Sequence, residues 1–291
     1  MRSRPLFAAL PLVAACQSPT APASVPPSPE PTSMQAKSHS DRPPILFVHG
    51  MFMNASSWAG WEQYFSERGY ETYAPNWPYR DGDPEQLRAA PPEDLPSLRL
   101  ETVLDVYRKA IADMPEPPIL VGHSMGGLVV QILLQEGNVR AGIAIDSAPP
   151  AGVSTAKWSF LRSNLPVVTK RKRPFVPSKS WFSYAFAHTL DDAEVERVWR
   201  THAVPESGQV ARDSTSDIAK IDPSADRPPL LLVAGELDHI IPATLVRKNY
   251  AYYDGPPTDY REFPGRTHWI CGQDGWQDVA AHVESWVEHV L

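Results

Sequence analysis

The chain has 291 residues, 42% hydrophobic and 21% charged, enough to bury one sizeable core together with an inserted lid. A formal charge of −7 and a pI near 5.7 leave no electrostatic footprint for nucleic acid. No stretch approaches 18 consecutive apolar residues, so no segment reads as a membrane-spanning helix.

The amino terminus reads as a secretory signal: Met1 to Arg4 is basic, Pro5 to Val13 is apolar, and Ala14-Ala15-Cys16 is small. Val13-Ala14-Ala15-Cys16 resembles a bacterial lipobox. That resemblance implies a lipoprotein-type signal over 1–16 and a lipid anchor on Cys16, holding the protein in the cell envelope. Residues 17–42 form a Pro/Ser-rich tether with too few apolar side chains for a core. The alternative is translation from Met34, which leaves a shorter, cytoplasmic protein. Cys271, the other of two cysteines, is then a buried small hydrophobe rather than a disulfide partner.

The folded part opens at Pro43-Pro44, and Ile45 to Val48 is a fully apolar strand ending in His49-Gly50. Trp58, Trp61, Tyr64 and Phe65 mark a helix from Ser56 to Arg68, closed by Gly69. Glu71 to Ala74 is a second strand, before a turn-rich segment from Pro75 to Pro96. Leu100, Val103, Leu104, Tyr107 and Ile111 share one face of a helix over Leu98 to Met114. Ile119 to Val121 is a strand that breaks into Gly122-His123-Ser124-Met125-Gly126-Gly127 and resumes as a helix to Glu136. Strands follow at Ala141 to Ile145, Leu230 to Ala234 and Asp259 to Phe263, with helices at Pro242 to Tyr253 and Trp276 to Leu291.

Strands alternating with helices predict an α/β fold, a six-stranded, mostly parallel sheet covered on both faces. Its core comprises residues 43–150 and 227–291. Residues 151–226 lack a clear strand but hold Trp158, Phe160, Phe175, Trp181, Phe182, Tyr184, Phe186 and Trp199. So long a segment is not bare loop, and a helical cap is expected.

The Ser124 turn carries the chemistry. A Ser on so tight a strand-to-helix turn presents its hydroxyl above the sheet, beside a helix N-terminus that favours an anion. Gly-x-Ser-x-Gly alone is a weak pattern; a strand before it and an apolar helix after it make it strong. Three further segments stand at strand ends: His49-Gly50-Met51, Gly235-Glu236-Leu237-Asp238-His239-Ile240-Ile241-Pro242, and Thr267-His268-Trp269. In this order the four motifs resemble the α/β-hydrolase superfamily, in its serine esterase and lipase-like members with a cap. The match runs from Pro43 to the C-terminus. The family's two usual leading strands have no room before Ile45, which implies a trimmed sheet.

The resemblance implies Ser124 as nucleophile, His268 as base and Asp238 as the acid that orients it. Asp146, just after a strand, is the competing acid, and Glu236 fits a surface ion pair. His123 is expected to pack, His49 to support its loop, and His239 is a minor contender as base. The backbone N–H groups of Met51 and Met125 are the implied oxyanion donors, with Phe52 second to Met51. Phe52, Trp181, Phe182, Tyr184 and Trp269 are candidates to bind an apolar or aromatic group. Lys170-Arg171-Lys172-Arg173 reads as a solvated loop, with anionic substrate or lipid head groups as the alternative.

The expected activity is hydrolysis of a small-molecule carboxylic ester through an acyl-enzyme, with no metal, organic cofactor or nucleic acid. The same constellation serves lactonases, thioesterases, C–C bond hydrolases and cofactor-free haloperoxidases. A Ser rather than an Asp at position 124 argues against haloalkane dehalogenase and epoxide hydrolase chemistry. A non-catalytic binding protein on the same fold is the reading from a different class.

Overall fold

Six short apolar segments pair side by side into one sheet: β1 (Ile45–Val48), β2 (Thr72–Tyr73), β3 (Ile119–His123), β4 (Ala141–Ile145), β5 (Leu230–Gly235) and β6 (Thr258–Phe263). The order is β2-β1-β3-β4-β5-β6 and every pairing is parallel. This computed structural model describes residues 42–253 and 258–291. The expected signal, Cys16 and residues 17–41 of the tether lie outside the described residues. None of the described helices is long and apolar enough to cross a membrane.

Alternate residues of each strand point to opposite layers. Ile45, Phe47, Ile119, Val121, Ile143, Ile145, Leu231 and Val233 pack with Trp61 and Phe65 of α1 (Ala59–Ser66) and with Val279, Val283 and Trp286 of α10 (Trp276–Val290). Leu46, Val48, Leu120, Ala144, Leu230 and Leu232 face the other layer. That layer holds α3 (Leu100–Ala112), α4 (Met125–Glu136) and α9 (Ala243–Tyr250). Burial on both faces explains why these strands read as unbroken apolar runs.

Two local features differ from the sequence expectation. The helix expected from Ser56 begins as a 3-10 turn, Ala55–Trp58, because the Asn54 side chain accepts the Ser56 N–H at 3.2 Å and sets a tight start. The turn-rich segment 75–96 contains a further helix, α2 (Pro84–Ala89), with Asp83 accepting the Gln86 N–H at 3.0 Å and Pro84 at its first position. Its Arg88 reaches across to the carbonyls of Trp199, at 3.0 Å, and of Ala203.

Residues 151–226 carry four helices, α5 (Trp158–Val168), α6 (Lys179–Phe186), α7 (Asp192–His202) and α8 (Gly208–Asp213). They stand over the carboxyl ends of the central strands, where an open α/β sheet binds ligands. A short latch ties them down: the Val204 N–H donates to the Phe52 carbonyl at 2.9 Å, just beyond β1.

The helix α4 approaches the end of β1 so closely that no side chain fits between them. A Cβ on Gly126 would run into the Val48 carbonyl and stand 2.6 Å from the His49 carbonyl, both backbone atoms that cannot swing aside. Gly126→Ala is therefore expected to cost about 3 kcal/mol or more. Gly69→Ala, at φ +85° with nothing within 4 Å, should cost only about 1 kcal/mol. Thermal unfolding of the two variants checks this; equal losses would show that the elbow can relax.

Candidate active site

The strand β3 ends at His123 and α4 begins at Met125, so Ser124 alone makes the turn, at φ +58° and ψ −120°. A non-glycine residue holds such a backbone only when its surroundings over-determine it. Here the Ser124 N–H donates to the Ile145 carbonyl at 2.9 Å, and the Ser124 carbonyl accepts from Gly127 and Ala148, each at 3.0 Å. Gly50 completes the frame from β1: a Cβ there would meet Ser124 Cβ at 2.8 Å and the His123 carbonyl at 2.9 Å. Its lack of a side chain lets the His49-Gly50-Met51 loop lie against the elbow.

Three sequence-predicted residues from three strand ends converge. His268 Nε2 lies 2.9 Å from Ser124 Oγ, and His268 Nδ1 lies 2.6 Å from Asp238 Oδ2. Asp238 Oδ1 accepts the N–H groups of Ile240 at 2.6 Å and Ile241 at 2.9 Å, where the chain enters α9. Ser124 is 7% exposed, Asp238 3% and His268 0%, so the relay is shielded from water. The edge of Phe186 covers His268, with ring centroids 4.8 Å apart. From residue type Phe186, like Trp181, Phe182 and Tyr184, suits an apolar or aromatic substrate group, but its ring packs on the imidazole and does not line the cavity onto which Ser124 opens.

Asp146, the competing acid, is buried directly behind this group but is not hydrogen-bonded to His268. Its Oδ1 accepts the Gly235 N–H at 2.6 Å. Burial pushes the carboxyls of both Asp146 and Asp238 up. Asp238 is opposed by two N–H donors, whereas Asp146 is raised further by the charge of Asp238. Two N–H donors and the imidazole meet the oxygens of Asp238, so it is the better supported of the two as a carboxylate beside His268. His123, Asp146 and His268 place ligand-type atoms within 4.8 Å of one another. Both nitrogens of His268 are already engaged, so only two donors are left free there, short of a metal's usual three or four.

The other candidates divide. His49 stacks on Trp77 with centroids 4.7 Å apart. Its Nε2 accepts the Trp77 N–H at 3.2 Å, which leaves Nδ1–H to donate to the Gly50 carbonyl at 2.9 Å. It supports the loop. His123 stands against His268, with ring centroids 4.6 Å apart. His239 is bonded through Nδ1 to the Tyr184 carbonyl at 2.8 Å and stacks on His188, so it ties the acid loop to the cap. Glu236 accepts the Gly265 N–H at 2.9 Å at the surface and pairs with no cation among the described residues.

The N–H groups of Met51 and Met125 flank Ser124, and neither has a recorded hydrogen bond among the described residues. Phe52, the second choice to Met51, is held otherwise. At φ +68° its N–H donates to Glu206 Oε2 at 3.3 Å, and its carbonyl accepts from Val204. Glu206 is paired at 2.5 Å with Arg80, both fully buried. This pair was not legible in the sequence, since its members lie 126 residues apart.

Ser124, Met51 and Met125 open onto a cavity of about 390 Å³, walled by Phe52, Phe160, Leu161, Leu165, Ile240 and Ile241 among others. No charged side chain lines it. Of the five residues expected to bind substrate, Phe52 lines this cavity and the other four do not. Trp181 donates from Nε1 to the Ser163 carbonyl at 3.1 Å and packs edge-on against Phe52. Phe182 is fully buried on Phe186, Tyr184 lies under Arg162, and Trp269 rests against His202. The cap must bury a core of its own, and these aromatics supply it. The wall instead comes from α5 and the loop after β4.

Burial lowers His49 to about 3 and His188 and His202 to about 4, and takes His123 well below its ordinary value. In the unfolded chain these imidazoles take up protons below pH 6.5, while the fold keeps them neutral until far lower pH. Each therefore removes up to about 1.4 kcal/mol of stability per pH unit as pH falls from 6.5. Asp146 and Asp238 act in the opposite sense, but four imidazoles outweigh two carboxyls. The unfolding temperature should drop steadily between pH 6.5 and 4, measured by calorimetry; a flat profile would contradict the buried, neutral state.

Solved structures share this architecture. A monoacylglycerol lipase from Paleococcus ferrophilus is 18% identical, with 84% of this chain and 95% of that chain covered and a TM-score of 0.62. A methylesterase from Arabidopsis is 13% identical, with 85% and 100% covered and a TM-score of 0.65. A pyrethroid hydrolase from Sphingobium faniae is 16% identical, with 84% and 98% covered and a TM-score of 0.62. Identities this low speak to the fold alone. A comparison with curated proteins finds no match. The profile of the alpha/beta hydrolase family matches residues 45–282, and this chain belongs to that family.

Proposed function

We propose that the protein is a serine hydrolase that cleaves carboxylic esters through an acyl-enzyme. The observation that carries this is the Ser124–His268–Asp238 relay, at 2.9 and 2.6 Å, opening onto an uncharged cavity beside two free backbone N–H groups. Ser124 Oγ attacks the ester carbonyl while its proton passes to His268 Nε2, and Asp238 stabilises the imidazolium. The carbonyl oxygen becomes an oxyanion that the N–H groups of Met51 and Met125 receive; one such donor is worth about 2.7–4 kcal/mol. Collapse expels the alcohol, which leaves with the proton from His268, and the acyl group stays on Ser124. A water molecule, deprotonated by His268, then releases the acid and restores the hydroxyl.

Uncharged walls favour an ester with an apolar acyl or alcohol group, since a charged substrate would lose its hydration without a partner. Solved structures named as a lipase and a methylesterase share the fold, which agrees with this reaction class. We further propose that Cys16 bears a lipid anchor and that the protein works in the bacterial cell envelope, on the strength of the Val13-Ala14-Ala15-Cys16 pattern and the tether after it.

Ser124→Ala should reduce hydrolysis of p-nitrophenyl esters to background and abolish labelling by a fluorophosphonate probe. Asp238→Asn should lower kcat by about 10⁴-fold, because the imidazole loses its orienting partner. If the intact protein neither cleaves these esters nor takes the probe, the proposal fails. For the anchor, mass spectrometry of the membrane fraction should find a mature chain starting at acylated Cys16, and Cys16→Ser should abolish the acylation; a species starting at Met34 would refute it.

A further inference from the structure

The outer face of α5 is the most unusual surface of the protein. Phe160, Ser163, Asn164 and Val167 turn inward: Ser163 and Val167 are buried, and Asn164 Nδ2 donates to the Ile240 carbonyl at 3.1 Å. The opposite side presents Trp158, Leu161 and Leu165, which are 72%, 41% and 58% exposed. Spacings of three and four residues put the three side chains on one stripe. Leu161 and Leu165 also line the cavity above Ser124, so the stripe forms part of its rim. An aligned apolar patch at a cleft mouth differs from scattered surface hydrophobics and marks a contact surface.

The charge around this stripe is equally one-sided. From Ser147 to Leu190 the chain has seven Lys or Arg residues and no Asp or Glu, within a protein of net charge −7. Lys179 pairs with Glu196, and Arg162 lies over the Tyr184 ring. Lys170, Arg171, Lys172 and Arg173, directly after α5, are all exposed and have no recorded ion pair among the described residues. Other surface cations sit among carboxylates, as Arg108 does with Glu101, Asp105 and Glu136, and Arg247 with Glu262, and single ones unpaired among the described residues, such as Lys248 and Arg261, do not form a run.

We propose that α5 and the basic run after it dock the molecule on an anionic lipid bilayer, with the rim of the cavity against the lipid. Trp158, Leu161 and Leu165 enter the interface, where an indole is at home, and Lys170 to Arg173 meet the head groups. A soluble polyanion would satisfy the cations but leave the apolar stripe in water. A second copy of the chain would set basic face against basic face. Only a bilayer with negative head groups complements both halves of the surface. Docking needs no turnover at Ser124, so it stands apart from the ester-hydrolase proposal.

The test is co-sedimentation of the full chain carrying Cys16→Ser, so that no acyl group contributes, with vesicles of phosphatidylcholine alone or with one-third phosphatidylglycerol. Partitioning should be at least about tenfold higher onto the anionic vesicles and should fall sharply in high salt. Replacing Lys170, Arg171, Lys172 and Arg173 together by Ser should lower it about tenfold or more. Trp158→Ser should lower it several-fold and remove quenching by brominated lipid. Both variants should keep the parent's far-UV circular dichroism and unfolding temperature, which separates lost docking from lost fold. Equal binding to neutral and anionic vesicles would overturn the proposal, as would variants that partition like the parent. A Trp158→Ser protein that binds as well as the parent while the charge variant does not would identify a polyanion site and refute bilayer docking.

Discussion

Everything at this site depends on two strand ends being pressed together. The β1 loop and the β3–α4 turn touch through glycines, with Gly126 under the Val48 and His49 carbonyls and Gly50 against Ser124. That contact lets Ser124 keep φ at +58° and brings Met51, Met125 and Ser124 onto one cavity. Were the two ends farther apart, the hydroxyl and the donors would belong to separate surfaces.

Burial then assigns the charges. A carboxylate beside an imidazole in a dry site is stable only if its lone pairs are met, and Ile240 and Ile241 meet those of Asp238. Asp146 has the Gly235 N–H alone, and Asp238 beside it pushes its carboxyl up further. Two carboxyls at neighbouring strand ends thus meet different surroundings, and only one of them reaches the imidazole. The same economy of burial holds the loop after β1. Arg80 and Glu206 sit fully buried with Glu206 turned onto the Phe52 N–H, which leaves the Met51 N–H free. Breaking one partner of such a pair is costly, so the pair resists drift of the cap relative to the loop.

The cap is more than a cover. Its aromatics form an interior of their own, Trp181 against Phe52 and Phe175, Phe182 on Phe186, and Phe186 against His268. What it offers to the cavity is uncharged, with Phe160, Leu161 and Leu165 of α5 in the wall, and what it offers to solvent on α5 is apolar and flanked by cations. The sharpest charge asymmetry of the chain therefore falls where the cavity opens.

The strands and the elbow turn at Ser124 were legible in the sequence, because each depends on short-range rules. Unbroken apolar runs follow from burial on two faces, and a Gly-flanked Ser follows from a turn that tolerates no Cβ. Asp83-Pro84 marked a helix start within the segment expected to be turns, and Asn54 the cap of a 3-10 turn. Both were local signals in a stretch dominated by Pro. The choice between Asp146 and Asp238 was open in one dimension, since both follow strands; only the packed site shows which carboxylate reaches Nδ1. Trp181, Phe182, Tyr184 and Trp269 were assigned to the pocket from residue type, yet aromatic character cannot tell a cap's own core from a cavity wall. Arg80 and Glu206 were invisible for a related reason, because a buried ion pair is defined by proximity across 126 residues of chain. Local conformational preference determined the strands and the Ser124 turn; long-range packing decided which charges meet and which surfaces stay uncovered.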